Sequence, residues 1–227
     1  MAYGAAAKTT GVRAKQKAET RQKILQAALE AFAERGFEGA SVRDIATAAG
    51  VNHGLIKYHY EDKDRLWKAA VDFLFQRLEA ELAGPKDADE MSPEESVRAW
   101  VHRYVKYCAR HPEHARIMVQ ESIRDSDRLK WAVKKHIKRG HQSFREAAES
   151  GSPFGSSPEI PQSSMIYILV AAAQTPFMLG SEVKHIYNVN VYDDAFVEQH
   201  ADAVFELLFG ARTAKKTRAP RKTARRS

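Results

Sequence analysis

The chain has 227 residues, of which 44% are hydrophobic and 29% charged, and a formal net charge of +7. This length accommodates a small domain and one larger domain. The single cysteine, Cys108, excludes a disulfide within one chain and is expected to be a small core residue. The longest apolar run, residues 165–173, is too short for a bilayer, which needs about 20 apolar residues. No charged-then-apolar leader opens the sequence, so we expect a cytoplasmic protein.

The charge is concentrated at the two ends. Residues 1–66 carry 11 basic and 8 acidic side chains, residues 67–210 carry 17 and 21, and residues 211–227 carry 8 and none. Because an acidic surface repels DNA, we expect a duplex to meet the N-terminal part and the tails. We predict a basic flexible arm over residues 1–19 and a basic disordered tail over 211–227. The tail could contact phosphates or could only keep the protein soluble. The basic residues of the arm could contact phosphates or enter a minor groove; they are Lys8, Arg13, Lys15 and Lys17.

In chain order, the first predicted element is a helix within residues 20–66. Gly36 supplies the left-handed residue that commonly closes a helix. Ser41 and Asp44 then have the spacing of a capping box at the start of a second helix over 42–49. The apolar stripe of the first helix consists of Ile24, Leu25, Ala28 and Phe32.

A tight turn and a short third helix follow. Gly50 permits a positive φ, Val51 fills the corner, and Asn52 can cap a helix that continues to His59. Two short helices joined in this way hold a recognition helix at the mouth of the major groove. Asp62 can cap the next helix.

These spacings together resemble the N-terminal domain of the tetracycline-repressor (TetR) family. The resemblance covers 47 residues, about a fifth of the chain, and depends on many spacings agreeing. Lys57 departs from the pattern, since the family usually has a tyrosine there, so a charged amine replaces a phenol. The residues that carry the resemblance are Ile24 to Ala28, Phe32, Gly36, Ser41 to Ala46, Gly50 with Val51, and Tyr60 to Leu66.

The chemistry of this segment predicts which residues contact DNA. The Arg43 guanidinium can donate two hydrogen bonds to a guanine, a contact that discriminates against other bases by about 1–3 kcal/mol. The alternative role for Arg43 is an ion pair with Asp44 or another acid. Asn52 and His53 offer groups to base edges, and Gly54 permits close backbone approach. For His53 and His59 the alternative is a surface or helix-packing role. The residues placed for phosphates are Ser41, Thr47, Lys57, Tyr58, His59 and Lys63.

The remaining sequence predicts further helices and no convincing strand, so the fold class is all-α with about nine helices. A long fourth helix over 63–82 joins the DNA-binding domain, residues 20–66, to a helical domain over 67–210. A polar loop precedes Ser92, whose capping box starts a helix that His111 and Pro112 end. We then expect a helix over 117–123, a long helix capped by Asp127, a loop over 151–161, a helix over 163–187 bent near Pro176, and a helix over 193–209.

The resemblance implies a small-molecule effector inside the larger domain, whose binding spreads the two DNA-binding heads. Aromatic and Met side chains on inward stripes favour an apolar or aromatic ligand, although such stripes are more often plain core. Arg116 and His102 could orient a polar group. The candidate pocket residues are Trp100, Tyr104, Tyr107, Met118, Gln120, Trp131, Phe144, Tyr167, Gln174, Phe177 and Met178.

The resemblance also implies that the last two helices form a four-helix bundle with a second copy. A symmetric homodimer places two recognition helices about 34–36 Å apart, which predicts an inverted-repeat operator. The alternative is that both helices are core. The candidate interface residues are Ile166, Val170, Phe177, Phe196, Val197, Ala201, Val204, Phe205 and Leu208.

Other kinds of site have little support. His111 and His114 could be a metal pair, but no further ligand pattern accompanies them, and a helix junction explains this segment. There is no phosphate-binding glycine loop and no nucleophile with an evident base, so we predict no metal, cofactor or catalysis. The leading interpretation is a ligand-responsive, sequence-specific transcriptional regulator that represses. The alternative is an architectural, nucleoid-type DNA-binding protein with no effector.

Overall fold

A computed structural model describes residues 4–84, 91–149 and 160–210, with side chains at 15–84, 91–146 and 160–210. All regular structure in these ranges is helical, which confirms the predicted all-α class, and it amounts to ten helices when segments joined by a π turn count as one. The α-helices are α1 Gly4–Gly39, α2 Val42–Ala48, α3 His53–Tyr60, α4 Lys63–Leu82, α5 Pro93–Arg110, α6 Pro112–Arg124, α7 Asp127–Ala132, α8 Lys138–Glu149, α9 Gln162–Met178, α10 Gly180–Tyr187 and α11 Asp194–Phe205. A π turn, Val133–Ile137, joins α7 to α8, and a second, Glu206–Gly210, follows α11.

The helices group into two compact units. The head unit consists of Met1–Leu78 and Glu113–Ala132, and the body unit consists of Glu79–Pro112 and Val133–Ser227. The head unit therefore takes in most of α4, α6 and α7 besides the first three helices. This grouping reflects contacts within the chain; the functional boundaries at residues 20, 67 and 211 stay a prediction.

The head unit has an apolar core that contains buried ion pairs, one of which joins α4 to α6. Arg77 on α4 pairs with Glu113 on α6 at 2.5 Å, and the two side chains are only 15% and 10% exposed. Arg77 also donates to Gln26 Oε1 on α1, so a single guanidinium joins three helices. The fully buried side chains of the head unit include Ile24, Leu29, Phe32, Ile45, Leu66, Trp67 and Leu74.

In the body unit, α5, α9 and α11 pack together with the apolar side chains between them. Val101 and Val105 of α5 are fully buried, as are Ala173 of α9 and Phe205 of α11. A row of polar contacts connects α5 to α11 and to the π turn after it, outside this core. Arg98 forms ion pairs with Asp202 and Glu206, Lys106 forms one with Glu198, and the His102 ring contacts Glu198 and Asp202.

Most predicted helix ends are confirmed. Gly36 and Gly50 have φ of 70° and 66°, α4 spans the predicted residues, and Ser92 and Glu95 form both halves of the capping box. His111 is the C-cap of α5, and Pro112 opens α6.

Four helix predictions need correction. Gly4–Gly39 is one helical segment up to its kink, so residues 4–19 are helical where a flexible arm was predicted; the segment is rich in Ala, Lys and Gln, which are strong helix formers. α6 begins at Pro112 instead of 117, because a proline suits the first helical turn. Ser126, not Asp127, caps α7, since the Leu129 N–H donates to Ser126 Oγ at 3.0 Å.

The bend predicted near Pro176 is confirmed, and the fourth correction concerns the continuity of the helix that contains it. The predicted helix over 163–187 divides into α9 and α10, which meet at 68° on either side of Leu179. Among the described residues no single helix has the length and apolarity to cross a membrane, and this bent pair alone passes that test, by length and composition only. The predicted loop over 151–161 lies mainly outside the described residues, as does the tail over 211–227.

Candidate DNA-binding interface

The turn between α2 and α3 is fixed by backbone and cap hydrogen bonds. The Asp44 N–H donates to Ser41 Oγ at 3.4 Å, and the Gly54 N–H donates to Asn52 Oδ1 at 2.7 Å. The Val51 N–H donates to the carbonyl of residue 46 at 3.0 Å, next to the positive φ of Gly50. Ile45 and Ile56 are at most 1% exposed and pack the two helices. These hydrogen bonds and packing contacts therefore fix the orientation of α3, with its outer side facing solvent.

Arg43 has no ion-pair partner among the described residues, and its side chain is exposed. The neighbouring acid, Asp44, pairs instead with Arg35 at 2.7 Å. This pair also explains why only half of the predicted capping box forms, because the Asp44 carboxylate is turned to Arg35. Asp44 is therefore engaged by Arg35, and within the described ranges the Arg43 guanidinium keeps its donors available for a base or a phosphate.

The outward side of α3 carries the other predicted contact residues. His53, Gly54, Lys57 and His59 are exposed, and Tyr58 is 81% exposed. The His59 ring lies edge-on to Tyr58, with centroids 5.3 Å apart, and so has a packing contact as well as solvent exposure. On α2, Thr47 is also exposed, and its hydroxyl donates to the Arg43 carbonyl at 3.1 Å.

Lys63 is engaged within the protein. Its ammonium group donates to the carbonyls of Glu38 and Ala40, each at 3.3 Å, and lies 4.6 Å from the centroid of the Phe37 ring. These contacts satisfy carbonyls at the end of α1, which have no partner inside the helix. A phosphate contact by Lys63 would have to use its one remaining donor.

The predicted pocket residues divide between the two units. Gln120 and Trp131 belong to the head unit, where Gln120 donates to the Ala33 carbonyl at 2.8 Å and Trp131 lies edge-on to Trp67. Met118 is also in the head unit, whereas the others belong to the body unit. There Tyr107 and Phe177 are 1% exposed and so belong to the core. Tyr167 is 63% exposed, and those of intermediate exposure are Trp100, Tyr104, Phe144, Gln174 and Met178.

An open groove of about 450 Å³ runs beside α5 in the body unit. Three of its side chains, Arg98, His102 and Lys106, already contact carboxylates of α11. Arg103 has a buried Nε without an acceptor among the described residues, and burial lowers the pKa of this guanidinium. Of the side chains considered as ligand contacts, only His102 lies here. The groove is lined by Met91, Glu95, Arg98, Ala99, His102, Arg103 and Lys106.

The structure corrects most of the predicted dimer interface. Six of its nine residues are at most 7% exposed within a single chain, because α5, α9 and α11 cover one another, and these six form core. Val170, Phe196 and Leu208 have intermediate exposure. The six core residues are Ile166, Phe177, Val197, Ala201, Val204 and Phe205.

His111 and His114 face different partners. His111 Nε2 lies 2.9 Å from Glu81 Oε1, and the ring of His114 lies edge-on to Phe75. Within the described ranges, no cluster of three or more His, Cys, Asp or Glu side chains has metal-site geometry. Cys108 is buried, and burial raises the pKa of its thiol to about 12, so the thiolate that a reactive cysteine requires is strongly disfavoured.

The comparison with known proteins supports a family for the DNA-binding segment. Residues 24–70, which include α2, the Gly50 turn and α3, match the family model described as bacterial regulatory proteins, tetR family. These residues are therefore similar to the helix-turn-helix of TetR-family proteins. The match supports a DNA-binding regulator of transcription.

Two curated relatives are named as such regulators. The chain is 34% identical over 117 residues to the HTH-type transcriptional repressor NicS of Pseudomonas putida, a match that covers 50% of this chain and 53% of NicS. It is 24% identical over 208 residues to the HTH-type transcriptional regulator RutR of Escherichia coli K12, covering 89% of this chain and 95% of RutR. Both names describe regulators and not enzymes.

Structural similarity to solved proteins extends beyond the helix-turn-helix to most of the chain. AibR, solved in complex with isovaleryl coenzyme A and operator DNA, has a TM-score of 0.60 and 18% identity, over 84% of this chain and 98% of AibR. At this identity the match shows a shared fold.

Sequence reasoning missed two structural details. The Arg35–Asp44 pair joins residues nine positions apart on different helices, so no helical spacing indicates it. The exposed side of α9 and α11 was also missed, because an almost uniformly apolar helix gives no period that separates core from surface.

Proposed function

We propose that the protein is a dimeric, cytoplasmic transcriptional repressor that binds an inverted-repeat operator and releases it when a small apolar or aromatic molecule binds. In this proposal residues 20–66 bind DNA, and residues 67–210 bind the effector and form the dimer. The protein acts by binding and not by catalysis.

The exposed, unpartnered Arg43 beside the outward side of α3 is the observation that carries the proposal. A free guanidinium next to a rigidly capped helix is the arrangement that reads a guanine in the major groove. His53, Lys57 and Tyr58 extend the same exposed surface. Base contacts by Arg43 and phosphate contacts by Lys57 would then divide specificity and positioning between two helices.

A surface on α9, α11 and the π turn after α11 supports the dimer. Ile168 is 48% exposed and Leu207 is 82% exposed, although both lie in the most apolar part of the chain. Small residues beside them permit close approach of a second copy, and a two-fold axis brings the same surface together from both chains. We name this surface the dimer face; its members, all exposed, are Ser164, Ile168, Ala171, Thr175, Ala195, Gln199, Ala203 and Leu207.

The body unit offers support for an effector of aromatic or apolar character. Trp100 and Tyr104 stack on α5 with ring centroids 5.2 Å apart, and both have intermediate exposure. Gln174 is half-buried with no hydrogen-bond partner among the described residues, so its amide can orient a polar group of the ligand. The effector need only bind the DNA-incompetent state more tightly to release the operator.

Selection of bound fragments from a random duplex pool, followed by gel-shift titration, tests the proposal. We expect an inverted repeat whose complex survives excess random DNA at physiological salt. Arg43→Ala should weaken binding to that repeat by about 5–150-fold, equivalent to 1–3 kcal/mol, and relax the preference at one base pair. Arg110→Ala is the matched control, since Arg110 is an exposed arginine of the body unit that pairs with Glu81.

Two results would contradict the proposal. Loss of the complex under random competitor would indicate an architectural DNA-binding protein. Equal binding by Arg43→Ala and Arg110→Ala would remove Arg43 from the reading surface.

A further inference from the structure

Helix α10 is amphipathic, and its apolar side is exposed. Leu179, Val183, Ile186 and Tyr187 recur at i, i+4, i+7 and i+8, a spacing that places them along one side of a helix. None of the residues of α10 is buried, and Ile186 and Tyr187 are 62% and 70% exposed. We name these four residues the α10 stripe.

A stripe of the same kind on α5 is covered within the chain. Val97, Val101, Val105 and Cys108 recur at helical spacing and are at most 6% exposed, because α9 and α11 pack on that side of α5. A surface helix normally turns its apolar stripe toward a core. The α10 stripe has no such cover in the described part of one chain.

Hydrogen bonds at both ends fix the direction of α10. At its start, Tyr192 Oη donates to the Phe177 carbonyl at 3.0 Å, and Gly180 permits this approach, since an added Cβ would lie 3.3 Å from that hydroxyl. At its end, Asn188 has a left-handed conformation, and its N–H donates to the Lys184 carbonyl at 2.9 Å. A partner therefore meets a preorganised surface, which lowers the entropy cost of binding.

The α10 stripe continues the dimer face. Leu179 follows Thr175 by four residues, so it extends the line of exposed residues on α9. At the same end of the two helices, Tyr192 is exposed and lies next to Gly180, three residues before Ala195 of the dimer face. The exposed surface of α9 and α11 therefore passes directly onto α10.

The dimer face alone is small for a stable interface. It has eight residues, of which only Ile168 and Leu207 are large and apolar. A standard interface uses about 20–30 residues of each partner. The α10 stripe together with Tyr192 adds five larger apolar or aromatic side chains beside this face.

We propose that the α10 stripe packs against a second copy of this chain and extends the dimer face. The inference rests on the proposed function for the existence of the dimer. On its polar side α10 carries one carboxylate, Glu182, and one ammonium group, Lys184, so it has little charge with which to repel an identical chain.

Two other covers fit the α10 stripe less well. The tail over 211–227 contains no leucine, isoleucine, valine, methionine or aromatic residue, so it has little apolar surface to bury against the stripe. A helix that lies on a lipid surface is typically rich in Lys and Arg on its polar side. By contrast, α10 has one lysine and no arginine.

Sedimentation of the full-length protein over a range of concentrations measures the dimer Kd and tests the inference. The double variant Ile186→Ser, Tyr187→Ser should raise this Kd about 30-fold, and Ile186→Ser alone about fivefold, because truncation of buried interface side chains has effects of this size. Ile123→Ser is the matched control and should leave the Kd unchanged, since Ile123 is an exposed isoleucine of the head unit.

Thiol labelling gives a second measurement that keeps the stripe nearly intact. An Ile186→Cys variant should react with a maleimide more slowly above the dimer Kd than below it, because the second copy covers the thiol. An Ile123→Cys variant should react at the same rate at both concentrations. The natural Cys108 is buried and contributes little to the signal.

The outcomes separate this inference from the proposed function. A wild type that is monomeric at micromolar concentration would overturn both. In a dimeric wild type, either an unchanged Kd of the double variant or equal labelling of Ile186→Cys above and below the Kd would overturn this inference alone. Loss of binding to anionic phospholipid vesicles by the double variant, with an unchanged Kd, would assign the stripe to a lipid surface instead.

Discussion

His200 Nε2 donates to the carbonyl of Ala172 at 2.9 Å. Ala172 is four residues before Pro176, and a proline has no N–H to give to that carbonyl. The imidazole on α11 therefore supplies the hydrogen bond that the proline removes from α9. Burial lowers the pKa of His200, so the neutral ring, donating from Nε2, is the form that the fold favours.

We predict that His200→Phe destabilises the protein by about 1–3 kcal/mol, because the Ala172 carbonyl loses its donor. His200→Gln should recover part of this, since an amide can donate in the same direction. Denaturant unfolding of the three proteins at pH 7.5 measures the differences. Equal stability of the Phe and Gln variants would contradict the hydrogen bond's role.

His200 also predicts a dependence on pH. Its pKa is lower in the folded protein than the ordinary histidine value near 6.5, so its contribution is fully present above pH 6.5 and is lost as pH falls below it. The wild type should therefore lose more stability between pH 7 and pH 5 than His200→Gln does. A parallel decline in both proteins would show that other groups control this range.

Gly36 and Gly50 should respond differently to alanine. Gly36 combines φ 70° with ψ 174°, a region almost confined to glycine, and an added Cβ would lie 3.0 Å from Gln120 Oε1. Gly50 also has positive φ, but nothing lies within 4 Å of an added Cβ. We expect Gly36→Ala to cost about 1–3 kcal/mol and Gly50→Ala about 1 kcal/mol. Thermal unfolding of both variants measures the two losses of stability. A larger loss for Gly50→Ala than for Gly36→Ala would contradict this explanation.

Arg128 should be important for the stability of the head unit. Its guanidinium lies 3.6 Å from the Phe37 ring centroid and pairs with Glu121, which is 2% exposed. Arg128→Ala leaves that carboxylate buried without its cation, so we expect a loss of about 3–5 kcal/mol in the free energy of unfolding. Arg139→Ala, at a side chain 79% exposed, is the control and should change little. A loss below 1 kcal/mol for Arg128→Ala would disprove the assignment.

The dimer face predicts the behaviour of one exposed leucine. Leu207→Glu should shift sedimentation at micromolar concentration from dimer to monomer, because a charge would replace an apolar contact in the proposed interface. Ile123→Glu is a closely matched control, since Ile123 is 80% exposed on α6 of the head unit and Leu207 is 82% exposed. A monomer before any substitution, or monomers of both variants, would contradict the proposed surface.

Local signals allowed the ends of helices to be predicted. The glycines at 36 and 50, the caps at Ser41 and Asn52, and the box at Ser92 each involve residues within a few positions, so sequence spacing records them. The exposed side of α3, which we propose as the recognition surface, followed from the same signals, because the turn fixes which side of α3 faces outward. All-α architecture followed from helical periodicity over most of the chain.

Tertiary partners could not be predicted in the same way. The commitment of Lys63 to the carbonyls of Glu38 and Ala40 depends on how α4 approaches α1. Likewise, Val197 and Phe205 were assigned to the dimer because they are apolar, whereas α5 covers them within one chain. Contacts between distant segments leave no period in a single sequence.

The helical conformation that α1 keeps from Gly4 onward limits how the N-terminus can approach DNA. An extended arm can thread the minor groove, which is about 6 Å wide, but an α-helix with its side chains is about 10–12 Å across. As a helix, this leading segment is too wide to enter that groove. It can therefore contact a duplex only along the outside of the sugar-phosphate backbone. Lys15 and Lys17 are exposed on this helix and carry the charge for such a contact.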